Sequence, residues 1–277
     1  MAPYAFLFLL GCGLLSLLVV RFADHGLAFL TAGRGDLRPA VAALVVIALG
    51  TGLAIRALVA QLRATKRLQH RILELRMTPP AEIERSASAA GLVGRLDVVD
   101  ADSHFSFAYG LFAPRVVVSR GLAEGMTDDQ LDAVLAHECQ HVRNLDPIKV
   151  LVARVVSSAY FLLPALHGLR SQYSAASELA ADRRAIETRG STALAGALHT
   201  VVRGPSWSEL STAAAIGGPE LLDIRIAQLE SGAPPPTPQL SRPTLVLTGL
   251  ALAVLALALI ATIVSVGGPG GMMDETM

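Results

Sequence analysis

Charged residues are scarce in this chain of 277 residues. Asp, Glu, Lys and Arg make up 17% of it, whereas apolar residues make up 52% and the mean hydropathy is +0.51. Soluble domains carry about 25% charged residues, so this balance indicates an integral membrane protein and excludes a disordered chain. Basic and acidic residues number 23 each. The chain therefore has no net positive charge that would attract nucleic acid, and we expect no direct nucleic-acid binding.

Cysteine is nearly absent as well. The two cysteines are Cys12, in an apolar run, and Cys139, in a segment with helical periodicity. Two isolated thiols exclude a disulfide-stabilised secreted scaffold and a metal site built from cysteine.

Three long runs lack charge, at residues 4–20, 39–55 and 243–266. Each can cross a hydrocarbon core of roughly 30 Å, the first two only just; buried core helices are the alternative for those two. Five bases follow the second run within residues 63–76, whereas acids follow the third at Asp274 and Glu275. The excess of bases predicts that the amino terminus and residues 61–242 are cytosolic. We therefore expect a multi-pass protein of the cell (inner) membrane, in contact with membrane lipid.

The predicted organisation has three parts: two transmembrane helices in 1–60, a cytosolic domain in 61–238, and a transmembrane helix with a short tail in 239–277. Residues 61–76 are predicted to form a helix with bases on one face. Such a helix either lies against the anionic inner leaflet or leaves the bilayer as an ordinary solvated helix.

A metal-binding pattern lies in the middle of the chain. Thr127 and Gln130 form a capping box that starts a helix. That helix contains His137, Glu138 and His141 in an H-E-x-x-H pattern, which places both imidazoles on one helical face. Zinc suits such ligands. Glu138 is placed to accept a proton from the water that attacks a peptide carbonyl.

A third ligand is required, and we predict that Glu178 supplies it from a separate helix, giving one zinc ion per chain. Asp182 is four residues further on, so it lies on the same helical face and can accept a hydrogen bond from a ligand histidine. The alternative is a solvated face in which both acids pair with Arg183 or Arg184.

Three further residues are weaker candidates. Asp146 either braces the site or ends a helix before Pro147. Tyr173 and Arg183 are candidate donors to the oxyanion that forms when a peptide is attacked.

A fourth apolar stretch, residues 148–169, is interrupted by charges and proline. Because a full crossing would separate Glu178 from the histidines, we predict a buried or membrane-dipping hairpin there.

At these residues the chain resembles a known family. Five segments resemble those of the BlaR/MecR-type antirepressor metallopeptidases. They are the strand Gly-Leu-Phe-Ala-Pro-Arg-Val-Val-Val-Ser at residues 110–119, the histidine motif, Asp146-Pro147, Phe161 to Pro164 and the motif at residues 178–182. HtpX-type membrane peptidases are similar too, through residues 118–122, 190–198 and 219–229, with Arg225-Ile226. The resemblance implies a gluzincin-like zinc peptidase domain: mainly α with a small β-sheet, added to the transmembrane helices.

The resemblance also implies that an edge strand aligns an extended substrate. We predict that this is the strand formed by Arg115, Val116, Val117, Val118 and Ser119. The chain is then a zinc endopeptidase that cleaves a protein substrate, a transcriptional repressor or a membrane protein, at the cytosolic membrane face. Two alternatives stay open: an HtpX-like quality-control protease and a non-catalytic membrane signalling scaffold. Residues 267–277 alone follow the last run and no S-x-x-K motif is present, so we expect no direct β-lactam sensing.

Overall fold

A computed structural model describes residues 38–205, 221–232 and 239–267. The first predicted span, residues 4–20, and the acids at 274–275 lie outside these ranges. The described chain is mostly helical with one small mixed sheet, as predicted. Its elements are α1 (Arg38–Leu75), β1 (Arg76–Met77), α2 (Ala81–Ala90), β2 (Leu96–Val99), β3 (Ser106–Tyr109), β4 (Arg115–Ser119), α3 (Arg120–Glu124), α4 (Asp128–Asn144), α5 (Asp146–Ala159), α6 (Pro164–Arg203), α7 (Leu222–Ser231) and α8 (Arg242–Gly267).

The sheet has the strand order β1-β2-β4-β3. Strands β2 and β4 are parallel, with Leu96 opposite Val116, whereas β3 runs antiparallel to β4, with Ser106 opposite Val118. The prediction that Arg115–Ser119 forms an edge strand is therefore wrong, because β4 has a partner on each side. Among the described residues, β3 is the edge strand beside it.

Helices cover both faces of the sheet. On one face, α2 and α4 pack against the strands through residues such as Ile83, Leu135 and Val118. On the other face, Leu68 and Ile72 of α1 pack against Val117. The sheet thus positions α4, the helix that carries the histidine motif.

Helix α1 joins two segments that the sequence analysis separated. The second apolar run and residues 61–75 form one continuous helix of 38 residues, because neither proline nor glycine interrupts the chain beyond Gly52. Leu68 and Ile72 lie on the apolar face of this part of α1 and are buried against the sheet. That face is therefore not available to lie on a lipid surface. Of the two alternatives for residues 61–76, the structure favours the solvated helix.

One described helix is long and apolar enough to cross a membrane, by length and composition, and it lies within α1 at Val45–Leu75. The third predicted run lies in α8, of which Arg242–Leu257 is a shorter apolar helix. Multiple spans thus stay a prediction.

Residues 148–169 form two helical pieces. Helix α5 ends at Ala159, and α6 begins at Pro164 after a short break. Within α6, Gly190 is non-helical, with φ of 83°, and divides this long helix into two helical pieces. That residues 148–169 form a buried or membrane-dipping hairpin stays a prediction.

The chain divides into two compact units. One contains the described residues up to Ile55, residues 156–169 and the described residues from Leu240 onward. In it, Leu166 packs with Leu252, and the backbone N–H of Ala165 donates to Thr248 Oγ1 at 3.0 Å. The other contains residues 56–155 and, as far as they are described, 170–239; the candidate site lies wholly in this second unit.

Candidate metal site

Helix α4 presents two histidines from one face. Its capping box is formed as predicted, with Thr127 and Gln130 bonding each other's backbone N–H groups. His137 and His141 are both buried, and their Nε2 atoms lie 3.1 Å apart. Two ring nitrogens at this distance repel each other unless a proton or a cation lies between them, so the pair is suited to a shared metal ion.

Glu178 of α6 closes the site from the opposite side. One carboxylate oxygen lies 3.5 Å from His137 Nε2, and the other lies 3.6 Å from His141 Nε2. A tetrahedral zinc ion with bonds near 2.0–2.2 Å separates its ligand atoms by roughly 3.3 Å. The spacing of these three buried groups therefore fits a metal of that size, and they form one candidate metal-binding cluster.

Small residues allow α6 to approach α4 closely. Ala133 of α4 packs against Ala185 and Ala193 of α6, and both Ala133 and Ala185 are fully buried. At Gly196, a Cβ atom would lie 2.3 Å from the Gln130 side-chain amide. A larger side chain there would have to displace the Gln130 side chain, which belongs to the capping box of α4.

Asp182 lies on the outer side of His137. Its Oδ1 atom is 2.9 Å from His137 Nδ1, and the side chain is 0% exposed. Burial lowers the pKa of His137, but Asp182 and Glu178 outweigh that effect and raise it to about 9. Burial raises the pKa of Asp182, yet His137 and Arg225 lower it to about 2. Asp182 is thus an ionised acceptor beside Nδ1, which leaves Nε2 directed at the ligand cluster.

Asp146 holds the second histidine through a hydrogen bond to Nδ1. Its Oδ2 atom lies 2.7 Å from His141 Nδ1 and accepts a hydrogen bond from Ser177 Oγ at 2.6 Å. Its Oδ1 atom accepts a hydrogen bond from Tyr173 Oη at 2.7 Å. Leu145 makes this possible, because its left-handed φ of 56° ends α4 and turns the chain back. The structure thus favours the bracing role for Asp146. The alternative in which Asp146 ends a helix before Pro147 is not what the chain forms, because Asp146 and Pro147 both lie in the first turn of α5.

Arg225 of α7 was missed as a site residue. Its guanidinium donates to both oxygens of Asp182, at 2.7 and 2.6 Å, and lies 3.4 Å from Glu178. Burial lowers the pKa of Arg225, but Asp182, Glu178 and Glu138 raise it above its ordinary value. The only sequence signal was its place in the HtpX-like pattern.

The ion pair of Arg225 also decides between the alternatives for Glu178 and Asp182. Burial raises the pKa of Glu178, but the two histidines and Arg225 lower it to about 2. Both acids are buried, whereas Arg183 is exposed and Arg184 pairs with Glu187. A solvated face paired with Arg183 or Arg184 is therefore not what the chain forms.

The other predicted residues are placed as follows. Glu138 is buried next to His137 on α4. Arg115 pairs with Asp97, while Val116, Val117 and Val118 are buried in the two cores beside the sheet and Ser119 caps α3. The strand residues thus build the sheet, and none of them belongs to the metal cluster. Of the candidate oxyanion donors, Tyr173 bonds Asp146 and Arg183 points to solvent.

Comparisons with known proteins agree with the resemblance seen in the motifs. The sequence model of the family described as BlaR1 peptidase M56 matches residues 98–229. Proteins named protease HtpX homolog are similar in a shorter segment. The one from Bacteroides fragilis is 33% identical over 81 residues, 28% of this chain and 25% of that protein. The one from Desulfotalea psychrophila is 35% identical over 83 residues, 29% of each. The one from Aeropyrum pernix is 34% identical over 86 residues, 30% of this chain and 27% of that protein.

The similarity spans about a quarter of the length of these curated relatives. The matched family segment contains the whole ligand cluster together with Asp146, Asp182 and Arg225. The resemblance to the BlaR/MecR-type peptidases, with HtpX-type peptidases as close neighbours, is confirmed.

Proposed function

We propose that this chain is a membrane-anchored, zinc-dependent endopeptidase that cleaves a protein substrate at the cytosolic membrane face. One observation carries the proposal: His137, His141 and Glu178 converge in a buried cluster whose spacing fits zinc, with Glu138 beside them. The family match and the names of the relatives support a peptidase.

The residues divide the chemistry among themselves. Zinc, when bound, supplies a Lewis acid that polarises the scissile carbonyl and lowers the pKa of water. His137, His141 and Glu178 would hold it, leaving a fourth ligand position open, as catalytic zinc sites do. Glu138 accepts the proton of the attacking water and passes it to the leaving amine. Asp182 and Asp146 keep both imidazoles in the tautomer whose Nε2 is free to bind metal.

Substrate alignment is reassigned from β4 to β3. The backbone N–H of Ser119 donates to the carbonyl of Phe105. Bonded and non-bonded pairs alternate along antiparallel strands, so the pairs 107–117 and 109–115 are also bonded across the ladder. The backbone groups of Ser106 and Ala108 then point away from β4, toward the outer edge. We propose that an extended peptide pairs with this edge.

The remaining alternatives concern biological role. A repressor and a cytosolic loop of a membrane protein both present extended peptide to such an edge, so antirepressor and quality-control roles use the same site. A signalling scaffold without catalysis needs no general base, and Glu138 argues against it.

The test is the variant Glu138→Gln, which keeps the size of the side chain but removes the proton acceptor. We expect full-length protein in detergent to retain zinc, measured by metal analysis, while cleavage of an unfolded protein substrate falls by about 10² to 10⁴-fold. Glu124→Gln, an exposed glutamate that pairs with Arg120, is the matched control and should cleave normally. Cleavage by Glu138→Gln at the wild-type rate would contradict the mechanism.

A further inference from the structure

Helix α7 contacts the metal-binding segment of α6 through two polar side chains. Arg225 binds Asp182 and approaches Glu178, as described above. Three residues further along α7, Gln228 donates its amide to the backbone carbonyl of Leu179 at 3.1 Å. Residues three apart share one helical face, so a single face of α7 holds the segment that carries the third ligand. Leu229 packs beside them against the core that includes Ala133 and Ala185.

The Arg225 contact is of a kind that fixes geometry. The guanidinium is planar, and its two hydrogen bonds to Asp182 match both carboxylate oxygens, which restrains the rotation of that carboxylate. The side chain of Arg225 is 14% exposed and that of Asp182 is 0% exposed. Water therefore competes weakly for the pair. Because Asp182 in turn faces His137 Nδ1, the orientation of one zinc ligand depends on a residue of α7.

Charge gives α7 a second reason to dock. Four carboxylates are buried around the cluster, those of Glu138, Asp146, Glu178 and Asp182. Of these, Glu178 and Asp182 are contacted by a single guanidinium among the described residues, that of Arg225. Removing that cation leaves two buried carboxylates with less compensation, and they repel each other.

We propose that the docking of α7 and the binding of the metal are coupled, with Arg225 as the positioning residue that links them. This inference rests on the zinc site proposed above. Coupling between two equilibria is reciprocal, so zinc should stabilise the docked α7, and loosening α7 should weaken zinc binding. Helix α7 is then the point at which a bound partner or substrate can change metal affinity without touching a ligand.

The experiment measures both directions of the coupling in the full-length protein in detergent. Zinc affinity is measured by competition with a chelating dye, and hydrogen–deuterium exchange is followed over residues 222–231 with and without zinc. The wild type should show slower exchange of α7 when zinc is added. Arg225→Met, which keeps length but not charge, should bind zinc about 10 to 100-fold more weakly, a typical loss for a group that orients a ligand. It should also lose most of the zinc-dependent protection of α7.

Three further variants keep the proposal testable if Arg225→Met folds poorly. Arg225→Lys retains the charge but not the two-pronged contact, and should lie between wild type and Arg225→Met. Gln228→Leu leaves Arg225 in place and should loosen α7 and weaken zinc binding by a smaller factor. Arg184→Met is the matched control, because that exposed arginine of α6 pairs with Glu187, and it should match the wild type in both measurements.

Some outcomes would overturn the coupling. If Arg225→Met bound zinc as tightly as the wild type, or more tightly, repulsion between the guanidinium and zinc would equal or exceed any gain from the orientation of Asp182 by Arg225. If zinc left the exchange of α7 unchanged in the wild type, the two equilibria would be independent. Wild-type protein that cleaves substrate without this coupling would refute the inference alone, whereas protein that shows the coupling but cleaves nothing would refute the proposed peptidase function alone.

Discussion

His137 has a carboxylate on each side of its ring. Glu178 faces Nε2, the atom directed at the cluster, whereas Asp182 faces Nδ1 on the outer side. The two acids therefore have different tasks, although they lie one turn apart on α6. A ligand contributes directly to metal binding, while an orienting group contributes through the ligand that it holds.

Substitution separates these two tasks. Glu178→Ala should abolish measurable zinc binding, because two imidazoles make an incomplete site. Asp182→Asn, which keeps the size of the side chain, should retain zinc with about 10 to 100-fold weaker affinity. Metal content and dissociation constants of the purified variants test both expectations. Glu187→Ala, at an exposed position of the same helix, is the control. Unchanged affinity in Glu178→Ala would place the third ligand elsewhere.

At this scale the sequence predicts what helical spacing dictates. His137 and His141 share a face because they are four residues apart, and the same spacing links Glu178 to Asp182. The sequence could not decide between the two roles of Asp146. Its approach to His141 depends on the left-handed turn at Leu145, a conformation that leucine rarely adopts. Arg225 lies 43 residues beyond Asp182, and no local pattern indicates which helix it will meet.

Among the strands, an ion-pair cluster around the buried Asp97 joins all four. Asp97 of β2 is 2% exposed and accepts from Arg115 of β4 and from Tyr109 of β3, while Arg76 of β1 lies 3.0 Å away. Burial raises the pKa of Asp97, but its arginine and tyrosine partners lower it below the ordinary value. Burial and the Asp97 carboxylate raise the pKa of Tyr109 to about 12, so that hydroxyl remains a donor.

The lowered pKa of Asp97 makes its contribution dependent on pH. The stabilisation is complete well above the unfolded-state pKa, near 3.9, and is lost as the pH falls through the lower folded-state pKa. Asp97→Asn should therefore reduce the free energy of unfolding by about 1–3 kcal/mol at pH 7, and the difference from wild type should shrink below about pH 4. Thermal unfolding in detergent across this range measures it.

Asp100→Asn is the control for the Asp97 variant. Asp100 pairs with Arg120 but is 66% exposed, and exposed ion pairs contribute little. Its melting temperature should follow the wild type at every pH. If Asp97→Asn behaved in the same way, the cluster would hold the strands in place without contributing to stability.

The order of the strands shows what the sequence analysis overlooked. Three consecutive valines in β4 are all fully buried, and a continuous apolar run is typical of a strand covered on both faces and paired on both sides. Strand β3, Ser-Phe-Ala-Tyr, was not predicted at all. It is short, and its first two residues are only half-buried, whereas its last two are buried. The apolar run thus signalled a central strand, whereas the resemblance had suggested an edge.

At the scale of the whole molecule, two helices expose apolar side chains along their length. Exposed apolar residues follow one another along α1 and α8: Val41, Val45, Leu49 and Ile55, and Leu245, Val246, Leu250, Val254 and Leu257. Such a continuous apolar surface is unfavourable in water and favourable in lipid. These exposures support membrane contact on both helices, although they do not give the orientation.

The last prediction concerns that orientation. Single cysteines at Ser88, Ser191 and Glu275, in a background with Cys12 and Cys139 replaced by alanine, are probed on intact cells with an impermeant thiol reagent. Ser88 and Ser191 are exposed, so protection there reports the membrane rather than burial. The bases at 63–76 predict that both are cytosolic and protected, while Glu275 labels. Lysed cells, in which all three should label, are the control.

The metal cluster adds a constraint that the charge rule does not contain. Ser88 follows α1 and precedes α4, whereas Ser191 lies beyond the 148–169 stretch on α6. Because His137 and Glu178 meet in one cluster, Ser88 and Ser191 should behave alike, whichever side of the membrane they face. Labelling of both would reverse the orientation and leave the site intact. Labelling of only one would mean that residues 148–169 cross the bilayer, and Glu178 could then reach the histidines only from within the membrane.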